Sequence, residues 1–177
     1  MIKVLFICLG NICRSPMAET IFRHLVEECG LEDKFEVDSA GLIDYHEGEL
    51  ADNRMRRHAS VHGYYITHRS RPIETDDFSR FDYIVGMDRH NIRALQSMQP
   101  PGTKAQILPI GTFLTHNSPP ARGGVAHRTE GVGAPARGVL EVPDPYYGGD
   151  QGFENVITML EEACATLLDS LSDSHNQ

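Results

Sequence analysis

The sequence has no apolar run approaching the roughly 18 residues that a membrane-spanning helix needs, no CxxC pair and no internal repeat. Membrane insertion, a zinc knuckle and a solenoid are therefore not expected. Positive charge is scarce: 16 Lys and Arg stand against 25 Asp and Glu, a net charge of −9. A nucleic-acid partner calls for a basic surface, so none is expected. An anionic substrate would need a locally basic site set against an acidic whole. The opening apolar run, Ile2 to Cys8, is too short for a secretory leader and lacks a small-residue cleavage site. A cytoplasmic location is the expectation, and with it reduced cysteines rather than a disulfide framework.

What is present reads as one α/β domain over residues 1–177. Residues 2–7 form a continuous β-branched and apolar run, the pattern of a strand buried on both faces, as in parallel sheets. Further strands are predicted at 35–39, with Ala40-Gly41 ending the run, at 82–87 and at 106–110. Helices are predicted between them. The first opens at Ser15-Pro16, with Ser15 as N-cap, and closes at Gly30. Others cover 50–62 and 89–98, and Phe153 to Leu171 carry the apolar stripe of a long final helix. Strands alternating with helices argue for a parallel sheet, whose ligands gather at the carboxyl ends of the strands. Residues 115–139 hold five glycines, three prolines and almost nothing apolar, which predicts a surface insert at about 112–140. Its Arg122, Arg128 and Arg137 outweigh the lone Glu130, so the insert is locally basic: either a floppy loop of no consequence or a segment that folds over a neighbouring site and recruits acidic partners. The polar tail from Ser170 is expected to fray. Cys29 and Cys164 fall on helices and are expected to be inert core residues.

One segment carries chemistry: Cys8-Leu9-Gly10-Asn11-Ile12-Cys13-Arg14-Ser15-Pro16, between a buried strand and a helix N-terminus. Successive backbone N–H groups in such a loop form a nest for an anion, and the helix dipole adds partial positive charge there. Gly10 is expected to let the chain turn. Arg14 supplies a planar fork that grips two oxygens of a phosphate. Each of these features favours a thiolate at Cys8, and a thiolate in a phosphate-shaped cradle is a nucleophile for phosphoryl transfer.

Cys-x5-Arg alone recurs by chance. Here it extends to VLFICLGNICRSP over Val4 to Pro16, followed by Met17-Ala18-Glu19, Val37-Asp38-Ser39-Ala40-Gly41, Tyr45-His46-Glu47-Gly48, His62-Gly63, His68-Arg69-Ser70-Arg71, Asp77-Phe78, Phe81-Asp82-Tyr83-Ile84, Met87-Asp88 and Asp144-Pro145-Tyr146-Tyr147-Gly148. In this order the chain resembles the low-molecular-weight protein tyrosine phosphatases over nearly its whole length outside 112–140. The resemblance implies a three-layer fold with a four-stranded parallel sheet flanked by helices, and a phosphate-binding loop after the first strand. It implies hydrolysis of phosphotyrosine monoesters through a phosphocysteine on Cys8. Arg14 and the loop residues Leu9, Gly10, Asn11, Ile12, Cys13 and Ser15 would hold the phosphate, with Asp144 as general acid. Tyr45, Tyr146 and Tyr147 would wall the cleft. Asn11, Ser15, Ser39 and His68 would form a supporting network, and Cys13 would form a protective disulfide with Cys8 under oxidation. No cofactor or metal is implied. The implied partner is a phosphotyrosine-bearing protein, with a tyrosine kinase among the candidates. The same fold hosts arsenate reductases, which need downstream relay cysteines that are missing between Cys29 and Cys164. It also hosts protein-arginine phosphatases, which carry Thr where this chain has Ile12. A phosphotyrosine-binding module without catalysis is a further alternative, although nucleophile, arginine and acid are all in place.

Overall fold

The structure, a computed structural model, describes residues 1–115 and 140–174. Its sheet has four parallel strands in the order β2-β1-β3-β4: β1 is Ile2–Cys8, β2 Phe35–Gly41, β3 Tyr83–Gly86 and β4 Gln106–Pro109. The apolar run that opens the chain forms an inner strand, flanked on both edges. Its side chains alternate between two cores. Val4, Phe6 and Cys8 face one with Met17, Phe22, Val156 and Leu160, whereas Leu5 and Ile7 face the other with Phe78, Phe81 and Leu95. Helices α1 (Arg14–Glu28), α2 (Asn53–Val61) and α5 (Gly149–Ser174) cover the first face; α3 (Asp77–Arg80) and α4 (Arg89–Met98) cover the second. This is the three-layer architecture expected.

Several boundaries differ, each for a local reason. Strand β2 continues through Ala40 and Gly41, because Cys8 pairs with Gly41 at the strand's end. Helix α1 begins one residue before Ser15, and no side chain caps it. Ser15 is therefore not the N-cap; its hydroxyl turns inward instead, to Cys8 and the Ala40 carbonyl. Cys29, expected in the core, is exposed at the end of α1, just before Gly30. Helix α5 starts four residues before its first buried apolar residue, Phe153, and runs through Ser174 past the predicted onset of fraying. The short helix at Asp77–Arg80 and a 3-10 turn at Ile110–Phe113 lack enough periodic apolar residues to be seen in sequence. Residues 112–115 are among the described residues, with Phe113 and Leu114 packed on the core. The remainder of the expected insert, 116–139, lies outside the described residues, as do 175–177. Where the chain returns, Gly111 meets it closely: a Cβ there would stand 1.4 Å from the Leu140 carbonyl oxygen. Val142 then donates to the Met87 carbonyl at the end of β3 (3.0 Å), which delivers Asp144 to the carboxyl edge of the sheet.

Candidate active site

Strand β1 ends at Cys8 and the chain enters a tight loop before α1. Asn11 takes a left-handed conformation there, with φ 55°. A short polar side chain tolerates that region because it can bond its own surroundings. Asn11 does so on four sides. Its Nδ2 donates to Ser15 Oγ (2.8 Å) and Ser39 Oγ (3.0 Å). Its Oδ1 accepts from the Arg71 backbone N–H (3.0 Å) and faces His68 Nε2 (2.8 Å). Gly10 lets the chain turn without a clash, as expected: a Cβ there would lie 3.2 Å from the His46 ring. The loop is also fastened from outside, by Ser70 Oγ donating to the Gly10 carbonyl (3.1 Å) and the Asp52 N–H donating to that of Ile12 (2.7 Å). Held this way, the loop is fixed before any ligand arrives.

The nucleophile candidate is buried at the base, with Cys8 Sγ 3.1 Å from Ser15 Oγ. Arg14 is only 3% exposed. Its Nη1 donates to Asp88 Oδ2 (2.7 Å) and the Val142 carbonyl (3.2 Å), and its Nη2 lies 3.5 Å from Asp144 Oδ2. Burial works against the charge on Arg14, but Cys8, Asp144 and Asp88 outweigh it and leave its pKa raised. The guanidinium thus stays charged in a site largely removed from water, where its field is least screened. Cys13 differs: burial first, then Asp52, Cys8 and Asp144, push its thiol up and keep it neutral. Cys164 is likewise held neutral by burial. All four cysteines are free.

These groups share a cavity of about 280 Å³. Its base is Cys8, Leu9, Gly10, Ile12, Cys13 and Arg14; its sides are Ile43, Tyr45, His46, Tyr146 and Tyr147, with Asp144 at the edge. Tyr146 packs edge-on against Tyr147 at 5.0 Å, and Tyr45 against His46 at 4.8 Å. An aryl group sitting above an anion in the loop would meet aromatic surface on both sides. The structure therefore brings together the predicted loop, Cys8, Arg14, Asp144 and the three tyrosines. Asn11, Ser15, Ser39 and His68 stand behind the loop.

Sequence reasoning missed the partners that hold these groups. Asp88 caps α4, accepting from the Asn91 N–H (2.8 Å), while Asn91 Oδ1 accepts from the Met87 N–H (3.1 Å). The Asp-x-x-Asn spacing is the signal that could have found this cap, and its second oxygen is the one that holds Arg14. Arg54 donates to the Tyr146 carbonyl (2.9 Å) and lies over the Tyr146 ring at 4.9 Å. Glu19 lies on α1 behind the loop. It accepts from Ser39 Oγ (2.6 Å) and Arg23 Nε (3.0 Å) and faces His68 Nδ1 (3.1 Å). Arg23 also donates to the Val37 carbonyl. Glu19, Asp38 and His68 present ligand atoms within 4.8 Å of one another, the one such group among the described residues. Its carboxylates are already engaged by Arg23 and Arg71.

Glu19 yields a stability prediction. Burial alone would raise its pKa, but the hydrogen bond with His68, the His68 charge and the bond from Ser39 outweigh that and hold it below the ordinary carboxylate range. A lowered folded pKa means the stabilisation is complete above the unfolded carboxyl value, about 4.3, and is lost as pH falls through the folded one. Glu19→Gln is expected to cost about 2–4 kcal/mol near neutral pH, because it leaves charged partners facing a neutral amide. The gap to wild type should narrow on acidification. Urea unfolding at several pH values checks both; a gap that widens toward low pH would contradict the assignment.

The profile of the low molecular weight phosphotyrosine protein phosphatases matches residues 3–121 and 120–177. A phosphatase of that description from Streptomyces coelicolor is 40% identical over 94% of this chain and 91% of its own, and one from Saccharomyces cerevisiae is 41% identical over 86% and 84%. Among solved structures, a protein tyrosine phosphatase from Entamoeba histolytica superposes with TM-score 0.83 at 39% identity, covering 99% of each chain. A Drosophila arginine phosphatase superposes with TM-score 0.79 at 31% identity, covering 96% of this chain and 98% of its own. Fold, loop and relatives agree, and the chain belongs to the low molecular weight phosphotyrosine protein phosphatase family.

Proposed function

We propose that this chain hydrolyses phosphotyrosine in proteins, with Cys8 as nucleophile, Arg14 and the loop amides as phosphate holders and Asp144 as general acid and base. The observation that carries the reading is a buried thiol and a buried guanidinium at the base of one cavity, with a carboxylate at its edge and tyrosines along its sides. The Entamoeba relative was solved with Hepes, a sulfonate, in its active site; a tetrahedral anion suits a loop of this kind.

The phosphoryl group enters the loop with its equatorial oxygens toward the amides and Arg14. The Cys8 thiolate attacks phosphorus, the S–P bond forms and the bond to the phenolic oxygen breaks. Asp144 gives its proton to that oxygen, so tyrosine leaves neutral. Water then attacks phosphorus, Asp144 takes its proton, the S–P bond breaks and inorganic phosphate departs with the thiolate restored. Ser15 Oγ, 3.1 Å from the sulfur, can donate to the thiolate while it is the leaving group. Charge grows on the equatorial oxygens, where donors already stand in place. The substrate is a phosphotyrosine-bearing protein, and a tyrosine kinase is the candidate the family suggests. A cytoplasmic setting fits, because its thiol pools keep such a nucleophile reduced.

Side by side, phosphotyrosine and phosphoarginine peptides test the reading, given to reduced protein with chelator present. Turnover of the first and little of the second is expected. Ile12 brings no hydroxyl to a guanidinium, and the tyrosines suit a ring. Preference for phosphoarginine would favour the activity named for the Drosophila relative. Asp144→Asn tests the acid: on a phosphotyrosine peptide, kcat is expected to fall roughly 10²–10³-fold. On p-nitrophenyl phosphate, whose leaving group hardly needs the proton, the fall should be smaller by about tenfold or more. Equal losses on both would remove Asp144 from that role.

A further inference from the structure

Helix α2 stands between the two halves of the cleft. Before its first residue, the Asp52 N–H bonds the Ile12 carbonyl of the phosphate loop (2.7 Å). At its second residue, Arg54 holds the Tyr146 carbonyl and covers the rings of Tyr146 and Phe153 at 4.9 and 5.0 Å. Tyr146 and Tyr147 run directly into α5. The spacing between loop and aromatic wall therefore depends on how α2 sits against the first turns of α5, as well as on the packing of α5 along α1.

That contact is made by two histidines and two carboxylates at matching helical spacing. His58 Nδ1 lies 2.6 Å from Glu154 Oε1 and its Nε2 3.1 Å from Asp150 Oδ1. His62 Nε2 lies 2.6 Å from Glu154 Oε2. The His58 ring stacks on Phe153, parallel to within 1° at 5.6 Å, and is largely buried. Both nitrogens of His58 thus face carboxylate oxygens, which accept only. Both bonds can exist together only if both nitrogens carry protons, so the clamped ring is an imidazolium.

We infer that His58 and His62 are positioning residues for the aryl group: as cations shared between Asp150 and Glu154, they lock α2 on α5 and so set the distance from the phosphate loop to the Tyr146–Tyr147 wall. Asp150 and Glu154 face them from α5. From their own helix come Arg57, 3.0 Å from Asp150, and Arg54 beyond the Phe153 ring. Both carboxylates are held low. For Asp150 the hydrogen bond with His58 leads; for Glu154 the bonds to His62 and His58 overcome burial. The carboxylates therefore stay charged and keep accepting through mild acid. Where His58 gives up a proton, Nδ1 and Nε2 can no longer both donate, and one of its two bonds is lost. The wall then loosens while the phosphate loop does not.

This rests on the reading of the tyrosines as the aryl wall, and the test separates the two. The inhibition constants of phenylphosphonate and inorganic phosphate against p-nitrophenyl phosphate hydrolysis are measured across roughly pH 5.5 to 8, where imidazoles change charge. In wild type the ratio of the two constants is expected to rise roughly three- to tenfold in favour of phosphate with increasing pH. In His58→Gln, and in Glu154→Gln as an independent disruption from the other helix, the ratio should begin at the raised value and stay flat, with phosphate inhibition and kcat little changed. A ratio that is the same in wild type and both variants at every pH would overturn the inference, as would variants that lose phosphate and phenylphosphonate binding together. Phosphate that fails to inhibit wild type at all would count against the proposed function itself.

Discussion

Replacing Cys8 with serine is expected to abolish turnover of phosphotyrosine peptides, with kcat falling on the order of 10⁵–10⁶-fold, while the peptide still binds. A serine hydroxyl keeps its proton at working pH and is a poor nucleophile without a base beside it. Among the described residues, neither group nearest to position 8 is such a base. Ser15, at 3.1 Å, is another hydroxyl. Asp144 is turned to Arg14 and the Tyr146 N–H. The loop that cradles the phosphate is unchanged, because it is held by Asn11, Ser70 and Asp52, none of which uses the sulfur. Cys8→Ser should therefore keep a dissociation constant for a phosphotyrosine peptide within about tenfold of the wild-type KM, measurable by titration calorimetry. Mass spectrometry of quenched wild-type reactions should find phosphate on Cys8, and none on the variant. Residual turnover above about 1% of wild type would mean that a different nucleophile operates. Unchanged folding with lost binding would mean that the sulfur, rather than the amides, holds the substrate.

The phosphate loop was legible because it is contiguous: strand, nucleophile, arginine and helix start fall within nine residues, and each carries a local signature. Asp144 was legible only through resemblance, since Asp-Pro by itself reads as a turn. The restraints were legible only in part. The resemblance named Asn11, Ser15, Ser39 and His68 as one network, and Asn11 does bond Ser39 and His68; it gave no role to Asp88, which orients Arg14 from 74 residues away in sequence, or to Arg71, which donates to Asn11. No local pattern encodes which distant groups a parallel sheet will bring to its carboxyl edge. Gly10 was legible as the residue that lets the chain turn without a Cβ clash, and the His46 ring beside it bears that out. The left-handed backbone of its neighbour Asn11 was not legible, because the four partners that hold it there are tertiary. Ser15 misled for a related reason: a serine before Pro16 suits an N-cap, yet a buried thiol offered its hydroxyl another partner. Cys29 was placed in the core by its helix, but a residue at a helix end has one side open to solvent.

Arg14→Lys should show how strongly transition-state recognition depends on geometry rather than charge. In the wild type, Asp88 and the Val142 carbonyl hold Nη1, which leaves Nη2 presented toward Asp144 and the cavity. The guanidinium serves structure with one arm and substrate with the other. A lysine keeps the charge but has one compact head, and Asp88 is the nearest carboxylate to claim it. The two equatorial oxygens would then lose a bidentate partner at the stage when their charge is greatest. The expected fall in kcat/KM for p-nitrophenyl phosphate is roughly 10³–10⁵-fold. Vanadate, which adopts the five-coordinate geometry of the transferring phosphoryl group, should lose affinity nearly in proportion, and inorganic phosphate much less. Asp88→Asn separates orientation from charge: Arg14 remains, its anchor weakens, and kcat/KM should fall roughly 10- to 100-fold. If Arg14→Lys stayed within tenfold of wild type on both kcat/KM and vanadate inhibition, the loop amides would be the principal stabilisers. Arg14 would then serve mainly to neutralise Asp88 and Asp144 at the edge of the sheet.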